Sequence, residues 1–330
     1  MNGKMPPKVK RSCIVSVFPR LHVTLIGMND NGYRLNGGIG FCVSQPQAIV
    51  TVSIASAFSL HDDRRWPLQA NELSRLVNTA QKFAKLPVRI EISGEMPSHY
   101  GFGSSTGIRL AVLEAIALVT YNNIDRLQLV RASGRGGTSG VGVTTYFDGG
   151  LIFDVGVKKA SLQMLPSSLV EGERPSPLII TNLEMPAWKI GLCIPADIQP
   201  QTEEQEVAFF KSSCPISANA ANETLYQVVY GIVASIKEED FRGFCDAVNT
   251  IQLCTWKKAE RTLYGKAILA IEKAIYDAGA LAVGMSSLGP GLYFLANNIE
   301  DVISRLRASN PQHTWIIAAC RNSGRSMIFT

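Results

Sequence analysis

Glycine and hydroxyl residues dominate the run Pro97-Ser98-His99-Tyr100-Gly101-Phe102-Gly103-Ser104-Ser105-Thr106-Gly107, which leads straight into an apolar stretch at 108–119. Gly101 and Gly103, one residue apart, let a backbone come close to an anion, and Ser104, Ser105 and Thr106 add hydroxyl donors. A helix starting here aims its unpaired N–H groups and positive dipole end at the same point. Phosphate binding is the chemistry this spacing suits, although a plain helix cap has a similar composition. A second run, Gly134-Arg135-Gly136-Gly137-Thr138-Ser139-Gly140-Val141-Gly142, adds the Arg135 guanidinium, which grips phosphate or carboxylate through two nitrogens, beside Thr138, Ser139 and Gly140. A third, Met285-Ser286-Ser287-Leu288-Gly289-Pro290-Gly291, brings Ser286 and Ser287. These are expected as anion donors, because a serine pair before Leu-Gly-Pro-Gly has little packing purpose. Together the three runs are expected to line an anion pocket between two domains.

Single residues carry two readings each. His22, with an ordinary pKa near neutrality, suits phosphate binding or proton transfer, or else a hydrogen-bonded place in a strand. Arg109, one turn into the loop helix, faces either the ligand or solvent. Asp154 either holds Mg²⁺ or serves an adjacent turn. Asn36, before two glycines, orients substrate or shapes a turn. His99 touches phosphate or is merely exposed.

These residues need a scaffold. Strand signals open the chain at 13–18, 22–26 and 38–43, separated by turn chemistry at Asn29-Asp30-Asn31-Gly32 and Asn36-Gly37-Gly38. Helical spacing at Leu73, Leu76, Val77, Ala80 and Phe83 predicts a helix over 71–85, followed by a strand at 86–92. After the loop helix, a short helix over 125–132 has Asp125 as its cap, and 144–157 reads as a hairpin turning at Asp148-Gly149-Gly150. The Pro-, Ser- and charge-rich stretch 166–177 places a domain boundary. In the second half a strand at 188–194 leads to an acidic linker at 202–206. Helices are expected at 217–236, 238–254, 264–278 and 300–308, and strands at 281–285, 292–295 and 314–319. Without strict βα alternation, the class is α+β rather than a doubly wound sheet.

The whole chain narrows the alternatives. At 330 residues two domains are expected, a mobile basic tail at 1–10, an N-terminal domain at 11–170 and a C-terminal domain at 171–330. With 46% hydrophobic and 18% charged residues, the composition is that of an ordinary globular protein, and its apolar runs fall short of a membrane span. The basic start lacks the apolar core of a secretory signal, so a cytoplasmic protein is expected. Seven cysteines without a CxxC pair fit reduced core residues, and four histidines without ligand spacing argue against zinc. A net charge of +5, spread along the chain without nucleic-acid signatures, suits small anionic partners and not nucleic acid.

The order and content of the three glycine-rich runs resemble those of the superfamily that includes galactokinase, homoserine kinase, mevalonate kinase and phosphomevalonate kinase. That likeness implies a two-domain fold, with a ribosomal protein S5-like N-terminal domain and a ferredoxin-like C-terminal domain, and a first glycine loop that binds ATP phosphates. Many such kinases follow the Ser-Gly of the middle run with an apolar residue and a catalytic aspartate; here Ser139-Gly140-Val141 is followed by Gly142. The substitution removes the carboxylate that would orient and deprotonate an acceptor.

The chain is more similar to the non-kinase β-ribofuranosylaminobenzene 5′-phosphate synthase family of methanopterin biosynthesis. The likeness rests on Arg20-Leu21-His22-Val23-Thr24-Leu25-Ile26, Asn36-Gly37-Gly38-Ile39-Gly40, residues 134–156, Met185-Pro186-Ala187-Trp188, and residues 203–210 and 284–291. The chain departs from that family at Gly27, where an aspartate is usual, and at Leu288, where an aromatic residue is usual. The resemblance implies condensation of phosphoribosyl pyrophosphate with 4-aminobenzoate or 4-hydroxybenzoate, releasing pyrophosphate and CO₂. Mg²⁺ and no organic cofactor are expected, with small anionic substrates as partners, no nucleic acid or membrane, and a homodimer left open. Catalytic roles then fall to His22, Arg135 and Asp154. Phosphate or substrate contacts fall to Asn36, Gly101, Gly103, Ser104, Ser105, Thr106, Arg109, Thr138, Ser139, Gly140, Ser286 and Ser287. An ATP-dependent kinase using Asp148 or Asp154, or a non-catalytic nucleotide-binding relative, are the alternatives.

Overall fold

The computed structural model describes residues 12–30, 32–135, 140–159 and 175–329. The expected tail at 1–10, Thr138 and Ser139 of the middle glycine run, and residues 166–174 of the expected boundary lie outside the described residues. The chain opens with β1 (Ser12–Val17), β2 (Arg20–Gly27), β3 (Arg34–Cys42), β4 (Ala48–Ile54) and β5 (Ser59–Asp62). Next come α1 (Ala70–Phe83), β6 (Val88–Gly94), α2 (Ser104–Val119), α3 (Arg126–Ala132) and α4 (Gly140–Asp148). Strands β7 (Leu151–Asp154), β8 (Val157–Lys158), β9 (Ile179–Leu183) and β10 (Lys189–Ile194) follow. Helices α5 (Glu203–Ser213) and α6 (Ala218–Tyr226) run into a π-helical stretch, Gln227–Val233, and then α7 (Ala234–Glu238), α8 (Phe241–Leu253), α9 (Thr255–Thr262) and α10 (Gly265–Asp277). The described chain closes with β11 (Ala282–Met285), β12 (Leu292–Leu295), α11 (Ile299–Ser309), β13 (Thr314–Ala319) and β14 (Ser326–Phe329).

Three sheets carry these strands, in the orders β14-β1-β4-β6-β5, β2-β3-β7-β9 with β8 on β3, and β11-β12-β10-β13. Alternation sorts the side chains. In the first sheet Cys13, Val15 and Val17, Val50 and Val52, and Ile90 and Ile92 point to one core, where they meet the almost wholly apolar α2 and Leu76 and Ala80 of α1. In β10, Ile190, Leu192 and Ile194 face a core shared with Phe41 of β3 and Phe244 of α8, whereas Cys193 faces α10 and α11. Both sheets of the first half receive strands from the second: β9 pairs with β7 and β14 with β1. The architecture is α+β.

Two local expectations are corrected. Residues 144–157 form no hairpin: β7 and the start of β8 pair with β3 and not with each other, and α4 ends at Asp148. Its glycines and β-branched residues argue against a helix, but packing on β3, β7 and α2 overrides that propensity. The acidic stretch at 202–206 is no linker either. It is the first turn of α5, where Thr202 and Gln205 make a reciprocal capping box and three glutamates face the positive end of the dipole. Among the described residues no helix is long and apolar enough to cross a membrane.

Candidate functional site

Two glycine-rich loops from opposite halves lock together and form the floor of the site. Gly101, at φ +87°, has the Ser286 carbonyl oxygen where a Cβ would stand, and Gly289 lies as closely against the Gly101 amide. Gly291 N–H donates to the Tyr100 carbonyl at 3.1 Å. Gly101, Gly289 and Gly291 therefore serve the approach of one loop to the other, and Gly101 and Gly289 also line the cleft. Ser286 has a packing purpose after all: it is fully buried, accepts the His22 N–H at 3.0 Å and donates to the Gly101 carbonyl at 2.8 Å. Ser287 N–H donates to the His22 carbonyl at 3.1 Å.

Around this lock lies a cleft open to solvent. Of the expected residues it is lined by His22, Asn36, Gly101, Gly103, Ser104, Ser105, Thr106, Arg135, Gly140, Asp154 and Ser287. Ser286 and Arg109 are not among the lining residues. Arg109 is half-buried, with its Nε lacking a hydrogen-bond partner, and burial lowers its pKa. Gly103, left-handed at φ +76°, caps α2 without a side-chain acceptor, which leaves the first N–H groups of a 16-residue helix to face an anion.

Arg20 lies over Gly103, where a Cβ would come within 2.7 Å of its Cγ, and it donates to the Gly101 carbonyl at 2.9 Å. Burial and the Arg135 charge lower the Arg20 pKa to about 10, against the pull of Glu260. Arg135 is 5% exposed; burial, with the charge of Arg109, also lowers it to about 10 against Glu72. Both remain cations at neutral pH. Burial pushes the Glu72 carboxyl up, but His99 2.9 Å away, Arg135 and Ser105 outweigh that and hold it at about 2. The His99 contact suits an ion pair yet is misaligned for a hydrogen bond, since Glu72 Oε2 and His99 Nε2 both lack a hydrogen-bond partner.

His22 departs from its expected chemistry. Burial first, then Arg20 and Lys257, drive its pKa well below the ordinary value, so the imidazole is neutral and does not titrate near neutrality. Asp154 accepts the Val141 N–H at 3.1 Å and the Gly156 N–H at 2.8 Å, one bond to each carboxyl oxygen, and so anchors the start of α4. Burial, opposed by those bonds and Arg34, raises its pKa to about 6. Asp148, at the far end of α4, pairs with Arg126 on an exposed surface and is not among the cleft residues.

The second half contributes residues that sequence reasoning missed. Glu203 accepts from Asn71 and Arg75 and so ties α5 to α1. Glu206 lines the cleft; burial, helped by Glu203 and Glu72 and opposed by His99 and Arg135, raises its pKa to about 7. Phe210, Leu25 and Leu288 add an apolar patch. The capping pair Thr202 and Gln205 was the available signal that these glutamates sit on a helix. Behind the third loop, Lys257 donates to Glu260 at 2.5 Å and to the Met285 carbonyl at 2.7 Å.

Chemically, the site offers helix N–H groups, serine hydroxyls and two guanidiniums to an anion, and a wall of carboxyls to a developing cation. Among the described residues there is no group of three or more His, Cys, Asp or Glu placed to hold a metal ion. Asp154 accepts one backbone N–H group on each carboxyl oxygen, and among the described residues no further ligand-type side chains are grouped to complete a protein cage for Mg²⁺.

Comparison with known proteins places the fold. The model of the GHMP kinases N terminal domain matches residues 71–150. A homoserine kinase from Cytophaga hutchinsonii superposes with a TM-score of 0.66 at 16% identity, covering 99% of this chain and 100% of that one. The mevalonate diphosphate decarboxylase of Enterococcus faecalis gives 0.63 at 15%, over 97% and 99%. In sequence the chain is 31% identical over 287 residues to β-ribofuranosylphenol 5′-phosphate synthase of Archaeoglobus fulgidus, covering 87% of this chain and 88% of that protein. It is 28% identical over 330 residues to the synthase of the same name from Methanothermobacter thermautotrophicus, covering 96% and 98%. The protein is an enzyme on the GHMP kinase scaffold, and it belongs to the β-ribofuranosylphenol 5′-phosphate synthase family.

Proposed function

We propose that the protein condenses phosphoribosyl pyrophosphate with a para-substituted benzoate, 4-hydroxybenzoate or 4-aminobenzoate, in the making of a methanopterin-type cofactor. Its relatives are named for a ribosylated phenol, which makes 4-hydroxybenzoate the first acceptor to test. The ring carbon that bears the carboxylate bonds to the anomeric carbon as pyrophosphate leaves with the C–O electron pair. The carboxylate then departs as CO₂ and its bonding pair restores the aromatic ring.

The observation that carries this reading is an uncapped helix start beside two buried guanidiniums, in a cleft whose α4 wall has Gly142 at the place in the run where the resembling kinases are expected to have an aspartate. Such a site suits a departing pyrophosphate, and its α4 wall carries no carboxylate at Gly142 to activate a hydroxyl toward ATP. Neither alternative carboxylate repairs that loss, because Asp148 is paired elsewhere and Asp154 holds the start of α4. Mg²⁺, brought with the substrate, would supply charge neutralisation to the departing diphosphate. The neutral His22 ring, beside Gly38 in the cleft, offers a lone pair to the ribosyl hydroxyls instead of a charge to phosphate.

The test is incubation with phosphoribosyl pyrophosphate, Mg²⁺ and carboxyl-labelled benzoate, following labelled CO₂ and pyrophosphate beside ATP consumption. Stoichiometric release of both products is expected. Acceptor-dependent ATP turnover with neither product would return the chain to the kinases.

A further inference from the structure

Glu206 lies four residues before Phe210, so the carboxyl and the phenyl ring share one face of α5, and both line the cleft. Phe210 and Leu288 belong to one apolar cluster, with Leu25 packed against it, and all three reach the cleft. An apolar patch with a carboxyl in the same cleft suits a ring with a polar para-substituent. The cationic wall of Arg20 and Arg135 takes the opposite chemistry.

Resting on the synthase reading above, we propose that the Leu25, Phe210 and Leu288 patch seats the aromatic acceptor and that Glu206 takes the proton from its para hydroxyl. The step balances. The O–H bond breaks and its proton passes to a Glu206 oxygen, while the freed pair moves through the ring to the para carbon, which bonds to the anomeric carbon as pyrophosphate leaves. Loss of CO₂ returns the C–C pair to the ring as a phenolate, which takes the proton back from Glu206. An amino acceptor donates its nitrogen lone pair without first losing a proton and needs this base less.

The surroundings favour such a role. Glu206 faces Glu72 from α1, His99 from the glycine loop, Arg135, Glu203 on its own helix and Tyr264 before α10. Burial in this company raises its pKa to about 7, so it exchanges a proton near neutrality.

The experiment measures pyrophosphate release by the full chain and by Glu206→Gln and Glu206→Asp, with each benzoate, from about pH 5 to about pH 9. With 4-hydroxybenzoate, kcat of the unaltered enzyme is expected to rise through about pH 7 and level off. Glu206→Gln lowers kcat by roughly 10²–10⁴-fold and removes that limb. Its KM for phosphoribosyl pyrophosphate stays unchanged, and 4-aminobenzoate turnover falls far less. If Glu206→Gln does not fold, Glu206→Asp decides: a lower kcat with the limb retained supports the assignment, and an unchanged kcat overturns it. An active Glu206→Gln enzyme with the limb intact, or equal loss with both acceptors, overturns the proton role alone. Absence of pyrophosphate release from the unaltered enzyme with either benzoate removes the synthase reading and this assignment together.

Discussion

Two buried charge clusters stand on either side of the third glycine-rich loop. On α9, Lys257 is 0% and Glu260 2% exposed; the ammonium reaches Glu260, the Met285 carbonyl and the Ser287 carbonyl, and Glu260 also accepts the Trp256 N–H at 2.7 Å. In the cluster of Glu72, His99 and Arg135, Glu72 and Arg135 are nearly as buried and His99 is partly exposed. Yet Glu72 Oε2, His99 Nε2 and Arg135 Nε have no hydrogen-bond partner, and neither do Arg20 Nε and Arg109 Nε beside them. At the arginine Nε atoms, which have no partner, each such buried donor costs about 1–3 kcal/mol. The sealed cluster is therefore scaffold, and the unsatisfied one is where a ligand gains most by binding.

The sharpest way to break this comparison is Lys257→Met. Stripping one partner from the sealed pair should cost about 3–5 kcal/mol in chemical denaturation, and Lys257→Met with Glu260→Leu should recover most of it. A loss no larger than that of an exposed pair would show that the α9 cluster is not sealed. Arg135→Ala works on the other side. Pyrophosphate release should fall by about 10²–10³-fold in kcat/KM, with a much smaller change in unfolding midpoint. Equal losses in both would make Arg135 scaffold as well.

Acid gives a smaller effect, because burial opposes the pairing. The folded pKa of Glu72, about 2, lies below its ordinary 4.5. Its stabilisation is complete above that ordinary value and is lost as pH falls toward the folded one. Thermal unfolding between those limits should show a slope that Glu72→Gln flattens. Last comes the latch at the cleft rim. Arg75→Ala, which removes an exposed partner of Glu203, should change stability by only about 0.2–1 kcal/mol in denaturant titration.

The helix start beside the cleft was readable because glycines and serines precede a long apolar run, and α2 indeed starts at Ser104. What the residues alone do not show is that Gly101 and Gly289, both lining the cleft, also pack against each other. The carboxyl end was not readable. Glu203, Glu204 and Glu206 resemble solvated linker residues until α5 is folded against α1. Helix α9 passed unnoticed for a related reason: Lys257 and Glu260 signal surface in any pattern of hydropathy, and only tertiary burial makes them a core pair. Helix α4 hid behind glycines whose need for closeness is set by Asp154, whose Oδ2 lies 2.5 Å from where a Gly140 Cβ would stand.

One pairing bears on how the protein is made. Strand β14 covers the edge of β1 in antiparallel register, Cys13 opposite Phe329. Those residues are about 300 positions apart, so a nascent chain emerging at roughly 5–20 residues per second leaves that edge uncovered for about 15–60 s. During translation the first sheet therefore presents an unpaired strand to other chains, and its completion waits for nearly all of the described polypeptide.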